Sequence, residues 1–154
     1  MKKVFKLLSL FVMVASMAFV TSCSKENSIV GKWKFSNATV ELSNVAPEVL
    51  ELIDLDMYNT MANNMYKDMV WEFKSDHTVS ATIFFDGQQE AEDGITYEVK
   101  NNKLIFTDPT EEEGEQVLEM DLVTLDAKNL VVSFSEEDDE TGMITTMTMT
   151  FNRM

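Results

Sequence analysis

The chain has 154 residues, a length that suits one domain, and carries 12 Lys+Arg against 27 Asp+Glu for a net charge of −15. So acidic a chain is repelled by phosphate backbones, which excludes nucleic-acid binding. One Cys and one His exclude an internal disulfide, a thiolate zinc site and a multi-histidine metal site, while 45% hydrophobic and 10% aromatic residues exclude a disordered acidic chain.

The charge is unevenly placed. Residues 1–22 hold three lysines (Lys2, Lys3, Lys6) and no acid, so the rest of the chain carries −18. The basic start leads into an apolar run from Leu7 to Val20, interrupted only by Ser9 and Ser16. That run is shorter than the roughly 20 residues of a membrane span, and its basic lead and small-residue exit describe a secretory signal. It ends in Val20-Thr21-Ser22-Cys23, where Cys23 is the only cysteine. This sequence resembles the lipobox of bacterial lipoproteins. The resemblance implies cleavage before Cys23, lipidation of its thiol and acylation of the new amino terminus, giving an anchor of two or more acyl chains. Ser24 rather than Asp after the cysteine implies outer-membrane sorting. The expected organisation is a signal over 1–22, a lipidated tether over 23–28 and a domain over 29–154. Anionic head groups would repel that acidic domain, so the lipid does the holding.

Beyond the tether the hydrophobic pattern has period two, the signature of half-buried strands. Strand one is expected over Gly31 to Leu42, with Trp33 and Phe35 alternating with lysines. Trp71 and Phe73 mark strand two, and Ser75-Asp76-His77-Thr78 a turn. Strand three carries Val79, Ala81, Ile83 and Phe85. An acidic loop is expected from Asp86-Gly87 to Asp93-Gly94, before strand four with Ile95, Tyr97 and Val99. Asn101-Asn102 reads as a two-residue hairpin, because Asn tolerates positive φ. Strand five spans Lys103 to Thr107, strand six Gln116 to Leu125, strand seven Leu130 to Ser135 and strand eight Met143 to Arg153. The expected fold is therefore all-β, an eight-stranded antiparallel up-and-down barrel whose closure leaves no edge exposed.

One segment breaks the period. From Pro47 to Lys67 the residues Leu50, Ile53, Met57, Met61 and Met65 recur at helical spacing. Pro47 suits a first helical turn. One helix is expected here, between strands one and two, with this apolar face packed over an open end of the barrel.

Gly31-Lys32-Trp33 resembles the Gly-x-Trp signature of the calycins, the lipocalins and fatty-acid-binding proteins. The resemblance implies a tryptophan that closes the barrel base and a late basic residue packed across it. Arg153, the only arginine, matches that residue. The chain more closely resembles small bacterial lipocalin-like lipoproteins, over about residues 29–154. With a single arginine, the buried carboxylate clamp of the fatty-acid-binding proteins is not expected.

The leading functional expectation is a small apolar ligand held in or at the mouth of the barrel, in a cavity lined by Met57, Met61, Met65, Trp71, Phe73, Met147 and Met149. Methionine suits an adaptable binding surface, although the same residues would equally fill a solid core. The alternative is a non-catalytic interaction module that docks a basic partner through acidic hairpin loops. The acidic runs Glu111-Glu112-Glu113 and Glu136 to Glu140 lack the spacing of a calcium loop, so no metal site is expected. His77 reads as a turn residue. With no nucleophile elbow and no phosphate loop, neither an enzyme nor a cofactor is expected.

Overall fold

A computed structural model of the chain describes residues 28–85, 88–108 and 116–154. The signal segment, Cys23 and the tether up to residue 27 lie outside the described residues, as do Asp86-Gly87 and Glu111-Glu112-Glu113.

Period-two segments make eight strands: β1 (Gly31–Ser43), β2 (Val70–Phe73), β3 (Thr78–Phe85), β4 (Gln88–Lys100), β5 (Lys103–Asp108), β6 (Gln116–Leu125), β7 (Asn129–Glu137) and β8 (Ile144–Arg153). Each pairs antiparallel with the next, and β8 pairs with β1 to close the barrel. Directly opposed residues share a face, so the register identifies the interior. Phe35 opposes Phe151, Ala38 opposes Met149 and Val40 opposes Met147. Val132 opposes Met149 and Leu104 opposes Met120. A bulge in β1 between Phe35 and Asn37 turns Ala38 rather than Asn37 inward.

The base of the barrel is the end at which β1 begins and β8 finishes. It is filled with rings. Trp71 stacks on Phe151 at 4.2 Å between centroids and meets Phe106 edge-on at 5.4 Å. Phe73 meets Tyr97 edge-on at 4.9 Å, and the Tyr97 hydroxyl donates to the Lys74 carbonyl at 2.9 Å. Such contacts add about 1 kcal/mol each to the area they bury.

The base turns rest on side-chain acceptors. Asn101 and Asn102 both have positive φ (53° and 60°), the two-residue turn that suits strand twist. His77 also takes positive φ (65°) within the turn after β2. The Asp126 carboxylate accepts from the Lys128 and Asn129 amides at 2.7 and 2.8 Å. Asp76 accepts from the Thr78 hydroxyl, and at the opposite end of the barrel Asp138 accepts from the Thr141 amide and hydroxyl. Bonds to the ionised form hold all three carboxyls below the usual aspartate range. The first cause is the Lys128 amide for Asp126, the Thr78 hydroxyl for Asp76 and the Thr141 hydroxyl for Asp138. A lowered folded pKa contributes stability that is complete above the unfolded pKa and is lost as pH falls through the folded one. Asp126→Ala should therefore be less stable than the parent at neutral pH, and the gap should narrow as pH falls below the ordinary aspartate range. Urea unfolding at stepped pH checks this; a gap that persists unchanged into acid would contradict it.

The structure differs from the sequence reading in two elements. The expected acidic loop after strand three is largely β4, which starts at Gln88 and pairs Glu90 with Ile83 and Glu92 with Ala81. Backbone pairing to β3 overrides the loop-like composition there. The expected single helix is two: α1 (Pro47–Leu50) and α2 (Leu55–Tyr66). Asp54 caps α2 by accepting from the Met57 amide at 3.0 Å, so the helix restarts at a point that the apolar spacing runs straight through.

The helix also sits elsewhere and faces the other way. β2 has four residues and covers only Gly31 to Lys34 of β1, leaving the rest of that edge without a strand. α2 lies along this edge instead of across a barrel end. Asn63 accepts from the Ala38 amide at 2.9 Å and donates to the Ala38 carbonyl at 2.7 Å. Asn59 accepts from the Val40 amide at 2.7 Å. Ala62 is buried beneath them, whereas Met57, Met61 and Met65 are 49%, 57% and 52% exposed. The edge needs hydrogen-bond partners more than it needs apolar cover, and that requirement turns the polar face inward.

Candidate functional site

At the base, local backbone geometry and one cation build a plug. Trp33 is completely buried, and its indole N–H donates to the Ile29 carbonyl at 2.7 Å. Gly31 has φ +135°, a conformation that favours glycine, and a Cβ there would stand 3.3 Å from Arg153 Nη1 and crowd the guanidinium. Arg153 places its guanidinium carbon 4.4 Å from the Trp33 ring centroid and donates to the Val30 carbonyl at 3.2 Å and to the Ser28 carbonyl. The structure thus brings Gly31, Trp33 and Arg153 together. Ser28, at the end of the expected tether, contributes its carbonyl to this plug.

Above the plug the inward side chains grade from buried to open. Trp33, Leu130 and Phe151 near the base have no exposed surface. Met120 and Met149 at mid-height are buried. Farther up, the register carries Phe134 opposite Met147 on the inner face, and Leu118 stands inward beside Phe106 of the base rings. Phe106, Phe134 and Met147 are only partly buried, and Leu118 is 46% exposed. Among the described residues, these side chains leave part of the apolar inner wall in contact with water. No polar or charged side chain is buried among the described residues, so this wall offers an apolar ligand contact area without a fixed charge.

The residues expected to line a cavity divide accordingly. Trp71, Phe73 and Met149 lie in the packed core, and Met147 stands at the mouth. Met57, Met61 and Met65 are outside the barrel wall, for the reason that turns α2 round. Phe106, Leu118 and Phe134 lie outside that expected set, although the expected strands five, six and seven contain them. What the sequence lacked was their height along the barrel, which depends on which residues of neighbouring strands stand beside them.

A closed eight-stranded meander with a tryptophan-arginine base defines the class of small closed β-barrel domains to which the lipocalins belong. The profile of the lipocalin-like domain matches residues 29–154, most of the chain and all of the barrel. The chain belongs to the lipocalin-like domain family. No curated protein sequence matches it.

Proposed function

We propose that this protein is a lipid-anchored, non-catalytic binding protein that takes a small, uncharged apolar molecule into the mouth of its barrel. The observation that carries the reading is the partial exposure of inward-facing Leu118, Phe134 and Met147 above a sealed base. The absence of charge on the ligand follows from Arg153. The chain's only guanidinium is engaged with Trp33 and two carbonyls at the opposite end, where it cannot meet a carboxylate in the mouth. The Val20-Thr21-Ser22-Cys23 sequence supports attachment through Cys23 and residence at the outer membrane.

Titration of the full chain with the uncharged fluorophore N-phenyl-1-naphthylamine tests the binding. Saturable uptake is expected, weakened about tenfold or more by Leu118→Glu, which puts a charge on the apolar wall. Methyl palmitate should displace the probe and palmitate should not. No uptake, or equal displacement by both, would overturn the reading. Mass spectrometry of the protein from cell membranes checks the anchor: acyl chains are expected on Cys23, and Cys23→Ser should appear in the soluble fraction.

A further inference from the structure

The charges of the domain are sorted along the barrel axis. Apart from Lys67, every basic residue after Ser28 stands at the base. Lys32 and Lys34 open β1, Lys74 follows β2, Lys100 and Lys103 flank the Asn101-Asn102 turn, Lys128 precedes β7 and Arg153 closes β8. The rim of the base, formed by the turns 74–77, 100–103 and 126–128, carries four lysines against Asp76 and Asp126. Both aspartates turn back to accept from their own turns, at the Thr78 and Lys128 amides. Glu72, Glu98, Glu119 and Asp121 stand on the wall above the rim, where they pair with Lys32, Lys100 and Lys103. The opposite end is acidic without relief. No Lys or Arg occurs over 35–66 or 129–152, stretches that reach the mouth, whereas the first holds Glu41, Glu48, Glu51 and Asp54 and the second Glu136 to Glu140.

The chain enters the barrel at the less acidic end. Arg153 holds the Ser28 carbonyl at the base, and Cys23 precedes Ser28 by five residues. We infer that this sorting of charge orients the protein on an anionic lipid surface: the barrel stands on its base, with the mouth turned to water. The inference rests on the lipid anchor at Cys23 proposed above. Five residues of extended chain reach at most about 18 Å. That length lets the barrel tip over or lift clear, so the tether alone sets no orientation. The field of anionic head groups dies away over about 8–10 Å at physiological salt, so only the nearest end of the barrel feels it. With the base down, the nearest charges are the lysines of the rim. With the mouth down, they are carboxylates that no basic residue offsets. The net charge of the domain predicts repulsion from such a surface; its distribution permits one attractive approach. A mouth held away from the bilayer exchanges its ligand with the aqueous side rather than with the lipid below.

Acylated protein in vesicles tests the orientation. Ala127→Cys puts a thiol on the rim, and Leu52→Cys puts one between α1 and α2 toward the mouth, at a position that is 86% exposed. With Cys23 acylated, each variant has one free thiol for a bimane label. The vesicles contain phosphatidylglycerol, phosphatidylcholine and a nitroxide lipid that quenches bimane at the head groups. Quenching should be about threefold or more stronger at position 127 than at position 52. That contrast should fall by at least about half in phosphatidylcholine alone, and likewise when Lys74→Glu, Lys100→Glu and Lys128→Glu are combined. Equal quenching at the two positions would overturn the inference. So would a contrast that ignores both the lipid charge and the lysine reversal, because the tether would then set the orientation by itself. Protein that carries no acyl chains and stays off the vesicles would refute the anchor, and the inference with it. Protein that is acylated and bound without orientation would refute the inference alone.

Discussion

Replacing Trp33 by alanine should cost about 4 kcal/mol of folding stability, within the range for losing a buried tryptophan. The residue is fully enclosed, so the cavity left cannot be filled by collapse of a barrel whose walls are hydrogen-bonded all round. Two further losses follow from its polar contacts. The Ile29 carbonyl loses the indole N–H at 2.7 Å, and the Arg153 guanidinium loses the ring at 4.4 Å. Trp33→Phe keeps much of the volume but removes the N–H, and should cost roughly 1–2 kcal/mol. Arg153→Ala should cost about 2 kcal/mol, because it removes the stack and both bonds to the 28–30 segment. The two sites touch, so the double variant should be less destabilised than the sum of the singles, by about 1 kcal/mol. Guanidinium unfolding of the four proteins checks these values. Strict additivity, or an unaffected Arg153→Ala, would mean that the guanidinium merely lies over the indole without holding the base shut.

The second large effect is expected at Asn63. Its amide makes three bonds, to the Ala38 amide, the Ala38 carbonyl and the Asn59 carbonyl, at 2.9, 2.7 and 2.8 Å. Asn63→Leu keeps the size and removes all three, leaving both polar groups of Ala38 without partners in the barrel wall. The cost should be about 3 kcal/mol. Asn63→Asp retains an acceptor for the amide but sets a carboxylate against the Ala38 carbonyl, and should cost about 2 kcal/mol. Asn59→Ala gives up a single bond to Val40 and should cost about 1 kcal/mol. Hydrogen exchange supplies the local readout: the Ala38 and Val40 amides should exchange faster in Asn63→Leu, while the Leu130 and Val132 amides, in β7, follow global stability alone. Once α2 is loosened the free edge of β1 is a template for pairing between molecules, so Asn63→Leu should also aggregate more readily on warming.

Asn63 also shows where sequence reasoning stops. Period two located the eight strands and gave the bounds of β6 outright, because alternation is a local property of a half-buried strand. Asn101-Asn102 announced its turn, because few residues take positive φ and the backbone needs it at both positions. Gly31, Trp33 and Arg153 could be singled out by residue type and order alone, and the closed barrel then brings the first and last strands side by side. The helix was legible as a helix and illegible in its orientation. An apolar stripe at helical spacing states that one face is apolar; it does not state what lies against it. Only the tertiary structure shows that β2 is too short to cover β1, that the exposed edge demands donors and acceptors, and that Asn59 and Asn63 supply them while the methionines face water. The mouth follows the same logic. Leu118 lies in a strand that period two locates, but its exposure is set by strands far away in sequence, which close over Leu130 and leave Leu118 open. The sequence by itself determined the strands, the turns and the chemistry of the base. The tertiary structure decided which apolar residues are buried, because burial depends on neighbours that a local pattern does not contain.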